Sequence, residues 1–158
     1  MAPGTLEDNL GYQLQRAARN TLAAGRCALD DLGLTPARVT ALMHIADNPG
    51  CDQTELGRVL LVNRSAGMKV AGLLSGLGLV ERKDGRDRRS KGLFLTAAGA
   101  RALRDATQRL DQSSATSFGV LDTAEHARLL AILKTLNAVP TGDAAMKPTI
   151  HAKGDAYV

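Results

Sequence analysis

Apolar positions recur every three or four residues along most of this 158-residue chain, with one break where the spacing shortens and the polarity rises. Leu10, Leu14, Ala17 or Ala18, Thr21 or Leu22, and Leu29 mark a first helix over residues 5–31. Thr5 caps it, and Glu7 and Asp8 in the first turn complement the helix dipole. Gly11 and Gly25 weaken it locally. Gly33 closes the next turn. Thr35 then caps a second helix with Pro36 at its first position, carrying Val39, Leu42, Met43 and Ile45 and stopping at Asn48-Pro49-Gly50. Asp52 and Glu55 form a capping box for a short third helix whose apolar face is Leu56, Val59 and Leu60. Asn63 caps a fourth helix running to about Leu77, and Gly78 stops it. Leu79-Val80 and Leu93-Phe94-Leu95 bracket a polar loop, the pattern of a β-hairpin. Thr96 opens a long helix to about Ser117 with Leu103 and Leu110 inward. Asp122 or Thr123 caps a last helix carrying Leu129, Leu130, Leu133 and Leu136.

This order predicts a mainly α fold with one small β-hairpin. Residues 36–96 form a helix-turn-helix followed by a β-wing, flanked by long helices over 6–31 and 97–137, in a single domain spanning 1–137. The flanking helices are apolar on more than one face, more than one such domain can cover, so a second subunit is the expected cover. Residues 138–158 carry two Pro and two Gly without periodicity and are expected to form a flexible tail.

Charge sharpens this picture. Between Arg82 and Lys91 stand six cations against Asp84 and Asp87, which accounts for the whole chain's formal charge of +4. The excess positive charge therefore sits on one projecting loop, a footprint for a polyanion. Aromatic residues are only 3% and Trp is absent, which argues against base stacking on single strands and favours duplex DNA. Cys27 and Cys51 are isolated, so neither a disulfide framework nor a CxxC site is present. Cys27 is expected to be a buried structural thiol and Cys51, in a turn, the more exposed one. His44, His126 and His151 are scattered, which leaves no zinc ligand cluster. No long apolar run or signal-like N-terminus is present, so a soluble cytoplasmic protein is expected.

The segments LTPARVTALMHIADNPG (34–50), DQTELGRVL (52–60), NRSAGMKVAGLLSGLGLVER (63–82), DRRS (87–90) and LTAAG (95–99) resemble the MarR family of winged helix-turn-helix regulators. With the flanking helices the resemblance spans roughly residues 6–137. It implies a triangular homodimer whose N- and C-terminal helices interlock. Each subunit would set its fourth helix in a major groove and its wing in the adjacent minor groove. Such proteins usually repress transcription and release DNA when a small molecule binds between the dimerisation helices and the DNA-binding lobe. The chain departs from a regular fourth helix at Gly67, Gly72 and Gly76. Gly67 suits close approach to DNA, whereas Gly72 and Gly76 suit tight packing on a neighbouring helix.

On the fourth helix Arg64, Ser65, Met68 and Lys69 occupy the turns that face bases. Arg64 and Lys69 suit guanine edges and phosphates equally. Gln53 and Thr54 open the third helix, where backbone amides and side chains suit phosphate contact. In the wing, Lys83, Arg86 and Arg88 are placed for the minor groove and its phosphates, followed by Arg89 and Ser90. The resemblance implies that Asp87 orients Arg89. The first helix reads GYQLQRAARNTL (11–22), similar to members that answer to aromatic carboxylates or their coenzyme A thioesters. Arg16 and Arg19 suit a carboxylate or phosphate, or else intersubunit ion pairs or solvent. Arg38 and His44 are candidates for the same cleft, His44 equally for a histidine at the core's edge. Family members that sense peroxide use a cysteine matching about Gly11, and Cys27 does not match it.

Two other classes compete with a ligand-responsive repressor. A winged-helix interaction module without DNA binding has no use for DRRS at its wing tip. An enzyme would need a nucleophile–base constellation, a P-loop, a metal motif or a cofactor site, and the chain carries no such motif.

Overall fold

The computed structural model describes residues 5–84 and 91–138. Helix α1 spans Leu10–Leu29, α2 Pro36–Asp47, α3 Gln53–Val59 and α4 Arg64–Gly76; strands β1 (Val80–Asp84) and β2 (Lys91–Leu95) follow, then α5 (Ala97–Phe118) and α6 (Thr123–Ala138). This is the expected winged helix-turn-helix lobe between two helical flanks. The expected tail beyond Ala138 and the wing tip, which holds Arg86, Asp87, Arg88, Arg89 and Ser90, lie outside the described residues.

Helix boundaries follow local capping chemistry. Thr35 accepts from the amide of Arg38, Asn63 from that of Ala66 and Thr96 from that of Gly99. Asp52 and Glu55 complete a reciprocal capping box, and so do Asp122 and Glu125, which makes Asp122 the cap of α6. The first helix differs from expectation. Thr5 precedes a 3₁₀ turn, Leu6–Asp8, and makes no side-chain cap bond. Asn9, in extended backbone, instead accepts from Tyr12 and starts α1 four residues later. At the other end Asp30–Leu32 tightens into a second 3₁₀ turn.

The core lies where α2, α4, α5 and β2 converge. Leu29, Val39, Leu42, Ile45, Leu56, Leu74 and Leu93 are fully buried there, with Leu103 and Leu110 of α5 packed against them. The strands pair antiparallel from Val80 with Leu95 to Asp84 with Lys91. A third segment joins them: the main chain of Cys51 bridges to Leu93, through Gly50 N to Leu93 O at 2.8 Å and Leu93 N to Cys51 O at 3.0 Å. Cys51 is therefore buried and Cys27 exposed in the protomer, the reverse of the expected order. Gly25 and Leu29 face inward, which turns Cys27 between them to the opposite side of α1.

Helix α6 carries Leu130, Ile132 and Leu136, each about half exposed, and none of its residues is buried. Leu10, Leu14 and Leu22 of α1 are exposed as well. These faces are the surface expected to need a second subunit.

Candidate nucleic-acid interface and effector residues

Helices α3 and α4 cross at two glycines. A Cβ built on Gly67 would lie 3.0 Å from both Cα and N of Gly57 and 3.1 Å from the carbonyl oxygen of Gln53. Gly67 is buried with Val70, Ala71 and Leu74, so it sets the helix-turn-helix crossing and does not face outward. Gly72 and Gly76 have open space above them, which corrects the expected assignment at all three glycines. The turn between the helices holds Leu61 at φ 55°, among the described residues the only non-glycine in the left-handed region, and its side chain is 72% exposed.

The crossing turns one face of α4 outward. Arg64, Ser65, Met68 and Lys69 are all exposed in its first two turns. Further along, Lys69, Leu73 and Leu77 surround an apolar cavity of about 520 Å³ over Gly72 and Gly76. Exposed Leu73 and Leu77 were not singled out from the sequence: three and seven residues after the buried Val70, they carry the spacing of the covered face.

At the start of α3 the capping box limits what the helix offers an anion. The Asp52 carboxylate accepts from the amides of Thr54 at 2.6 Å and Glu55 at 2.8 Å. The Thr54 amide is thus committed and a negative charge already occupies the terminus. The side chains of Gln53 and Thr54 are half-buried.

At the base of the wing, Lys83 pairs with Glu81 at 2.6 Å and Lys91 with Asp84 at 2.6 Å, all well exposed. The Lys91 hydrogen bond, and then its charge, hold the Asp84 carboxyl below its ordinary value. Lys83 is therefore partly neutralised, and the unbalanced charge of the hairpin belongs to Arg82 on β1 and, in the sequence, to Arg86, Arg88 and Arg89 against Asp87.

The four effector candidates fall in three places. Arg16 and Arg19 lie exposed on α1 beside a small cavity of about 150 Å³ with Tyr12, Gln15 and Asn20. Arg38, half-buried, donates through Nη1 to Gly33 O at 3.2 Å, while its buried Nε has no partner. His44 borders a different cavity of about 220 Å³, between α2 and α3, with Asn48, Glu55, Arg58 and Val59. Asn48 Nδ2 donates to the His44 carbonyl at 3.1 Å and sits 3.2 Å from His44 Nδ1. Nδ1 is then the acceptor, and in the neutral ring Nε2 carries the hydrogen, buried and without a partner. Within one protomer these residues do not form a single cleft. Among the described residues no group of three or more His, Cys, Asp and Glu is placed to hold a metal ion.

Residues 32–90, from just before the second helix to just before β2, match the model of the MarR family. Over 137 residues the chain is 33% identical to a transcriptional regulatory protein for the hcr operon of Thauera aromatica, an alignment covering 84% of this chain and 81% of the relative. The chain belongs to the MarR family. Solved structures of the family agree with its fold. The transcriptional repressor CouR bound to a 23-mer DNA duplex matches with a TM-score of 0.78 and 29% identity, over 87% of this chain and 98% of CouR. CouR from Rhodococcus jostii RHA1 bound to p-coumaroyl-CoA matches with a TM-score of 0.78 and 25% identity over the same shares. This MarR-family regulator thus has the mainly helical, winged architecture expected from its residue pattern. None of its described helices is long and apolar enough to cross a membrane.

Proposed function

We propose that this MarR-family regulator is a homodimeric transcriptional repressor in the cytoplasm, not an enzyme. It binds a pseudo-palindromic operator and leaves it when an aromatic carboxylate or its coenzyme A thioester binds. The observation that carries the reading is the outward face of α4, with Arg64, Ser65, Met68 and Lys69 exposed together beside the basic hairpin. Residues 1–137 act as one unit, and the bare apolar surface of α6 and α1 supports the dimer. The DNA complex and the p-coumaroyl-CoA complex of CouR support the two halves of the reading. Arg16 and Arg19 are the anion-binding candidates, with Arg38 and His44 contributing once a second subunit closes the cleft.

The test is a footprint on DNA flanking the gene, repeated across salt. Protected half-sites should have centres about 10 bp apart. Between 50 and 200 mM salt, affinity should fall by about 10³–10⁵ if the dimer neutralises six to ten phosphates. Arg88→Ala should weaken all sequences alike. Absence of protection at low salt refutes the repressor.

A further inference from the structure

We infer that Met68 reads the methyl group of a thymine, so that each operator half-site carries a thymine at one fixed position. The inference rests on α4 lying in the major groove, as proposed above. Of the four side chains exposed in its first two turns, Arg64, Ser65 and Lys69 can exchange hydrogen bonds with base edges or phosphates. Met68 cannot do so to any useful extent, since its thioether is only a weak acceptor. It is also not a core residue: it is 47% exposed, while its neighbours Gly67, Val70 and Ala71 are buried. A long apolar side chain held about half in solvent among polar ones has apolar surface left uncovered in the free protein. The major groove supplies one apolar group, the C5-methyl of thymine.

The rest of the helix narrows the choice. Beyond Lys69 the outward face runs through Gly72 and Gly76, which present no side chain to a base. Leu73 and Leu77 flank that bare stretch in the later turns, farther from the N-terminal end that meets base edges. Met68 is the apolar group within the base-reading turns, and its unbranched, flexible chain can follow a methyl group into the groove.

Deoxyuracil differs from thymine by that methyl alone, which makes it the probe. The full-length protein is titrated by fluorescence anisotropy against its footprinted duplex, with each half-site thymine replaced in turn. One symmetric pair of positions should respond, weakening binding about fourfold at one half-site and about fifteenfold at both, the worth of one and two buried methyl groups. Met68→Ala should bind thymine and deoxyuracil duplexes equally, whereas Met68→Leu should still discriminate. No sensitive thymine in the native protein, undiminished sensitivity in Met68→Ala, or loss of sensitivity only in Leu73→Ala each overturns the assignment. Failure to bind any specific duplex is a different result, and it overturns the DNA-binding reading itself.

Discussion

Replacing Gly67 with alanine sets two calculable effects against each other. In a helix interior, alanine is favoured over glycine by roughly 0.8–1.0 kcal/mol. At Gly72 nothing lies within 4 Å of the new Cβ, so Gly72→Ala should realise the whole gain. At Gly67 the same methyl meets the Cα and N of Gly57 at 3.0 Å and Gln53 O at 3.1 Å, all of them backbone. That backbone belongs to α3, which is held at its start by the Asp52–Glu55 capping box and cannot rotate a side chain out of the way. The helices must separate by a few tenths of an ångström, and overpacking of this kind costs about 1–3 kcal/mol. The intrinsic gain is common to both sites, so the two alanine variants should differ by about that overpacking cost, with Gly72→Ala the more stable. Urea unfolding at one fixed protein concentration measures it, and the midpoints should separate by on the order of 1 M. Equal midpoints, or Gly67→Ala unfolding later, would show that the α3–α4 crossing is not set by the two glycines.

Two further outcomes follow from other sites. Leu61 holds φ 55° with its side chain mostly in solvent, so Leu61→Gly should stabilise the protein by roughly 1 kcal/mol and raise Tm by about 2–4 °C; an unchanged or lower Tm contradicts the strain. The Asp31 carboxyl is held below its ordinary value of 3.8 by the hydrogen bond and then the charge of Arg109, 2.6 Å away. That contribution is complete above the unfolded carboxyl's pKa and is lost as pH falls through the lower folded value, so Arg109→Met should lower stability slightly at neutral pH, leave the lowest pH unchanged, and thereby flatten the acid limb of the stability–pH curve below about pH 4. An acid limb identical in the variant would dissociate Asp31 from acid stability.

The parts of this fold that were legible in the sequence are those decided by short-range chemistry. Thr35, Asp52, Asn63, Thr96 and Asp122 each bond an amide two or three residues on, so their helices start where the residue types say. Thr5 misled because Asn9 is an equally good cap and the chain used the later one. The glycines and Cys27 were misplaced for a different reason. Their roles depend on which face of a helix is covered, and that information lay in the periodicity. Val70, Ala71 and Leu74 fall three, four and seven residues after Gly67, which puts Gly67 inside and Gly72 and Gly76 outside. Burial of Cys51 had no such local signal, because it follows from pairing with Leu93, more than forty residues away. The effector cleft was least legible: Arg16, Arg19, Arg38 and His44 do not converge in one protomer, and a surface completed by another copy leaves no pattern in the order of residues.

That pairing of Cys51 with Leu93 has a mechanical meaning. The two hydrogen bonds that close it tie the inner strand of the wing to Gly50 and Cys51, the two residues just before the Asp52 cap of α3. Each is worth on the order of 1 kcal/mol net, and they sit beside a thiol sealed from water. The base of the hairpin therefore cannot hinge away from the recognition helices without first breaking the sheet at its root. A push on the wing becomes torque on α3 and, through the glycine crossing, on α4. The base of the wing and the two helices of the helix-turn-helix are thus joined by main-chain bonds and a backbone-to-backbone crossing rather than by side chains alone.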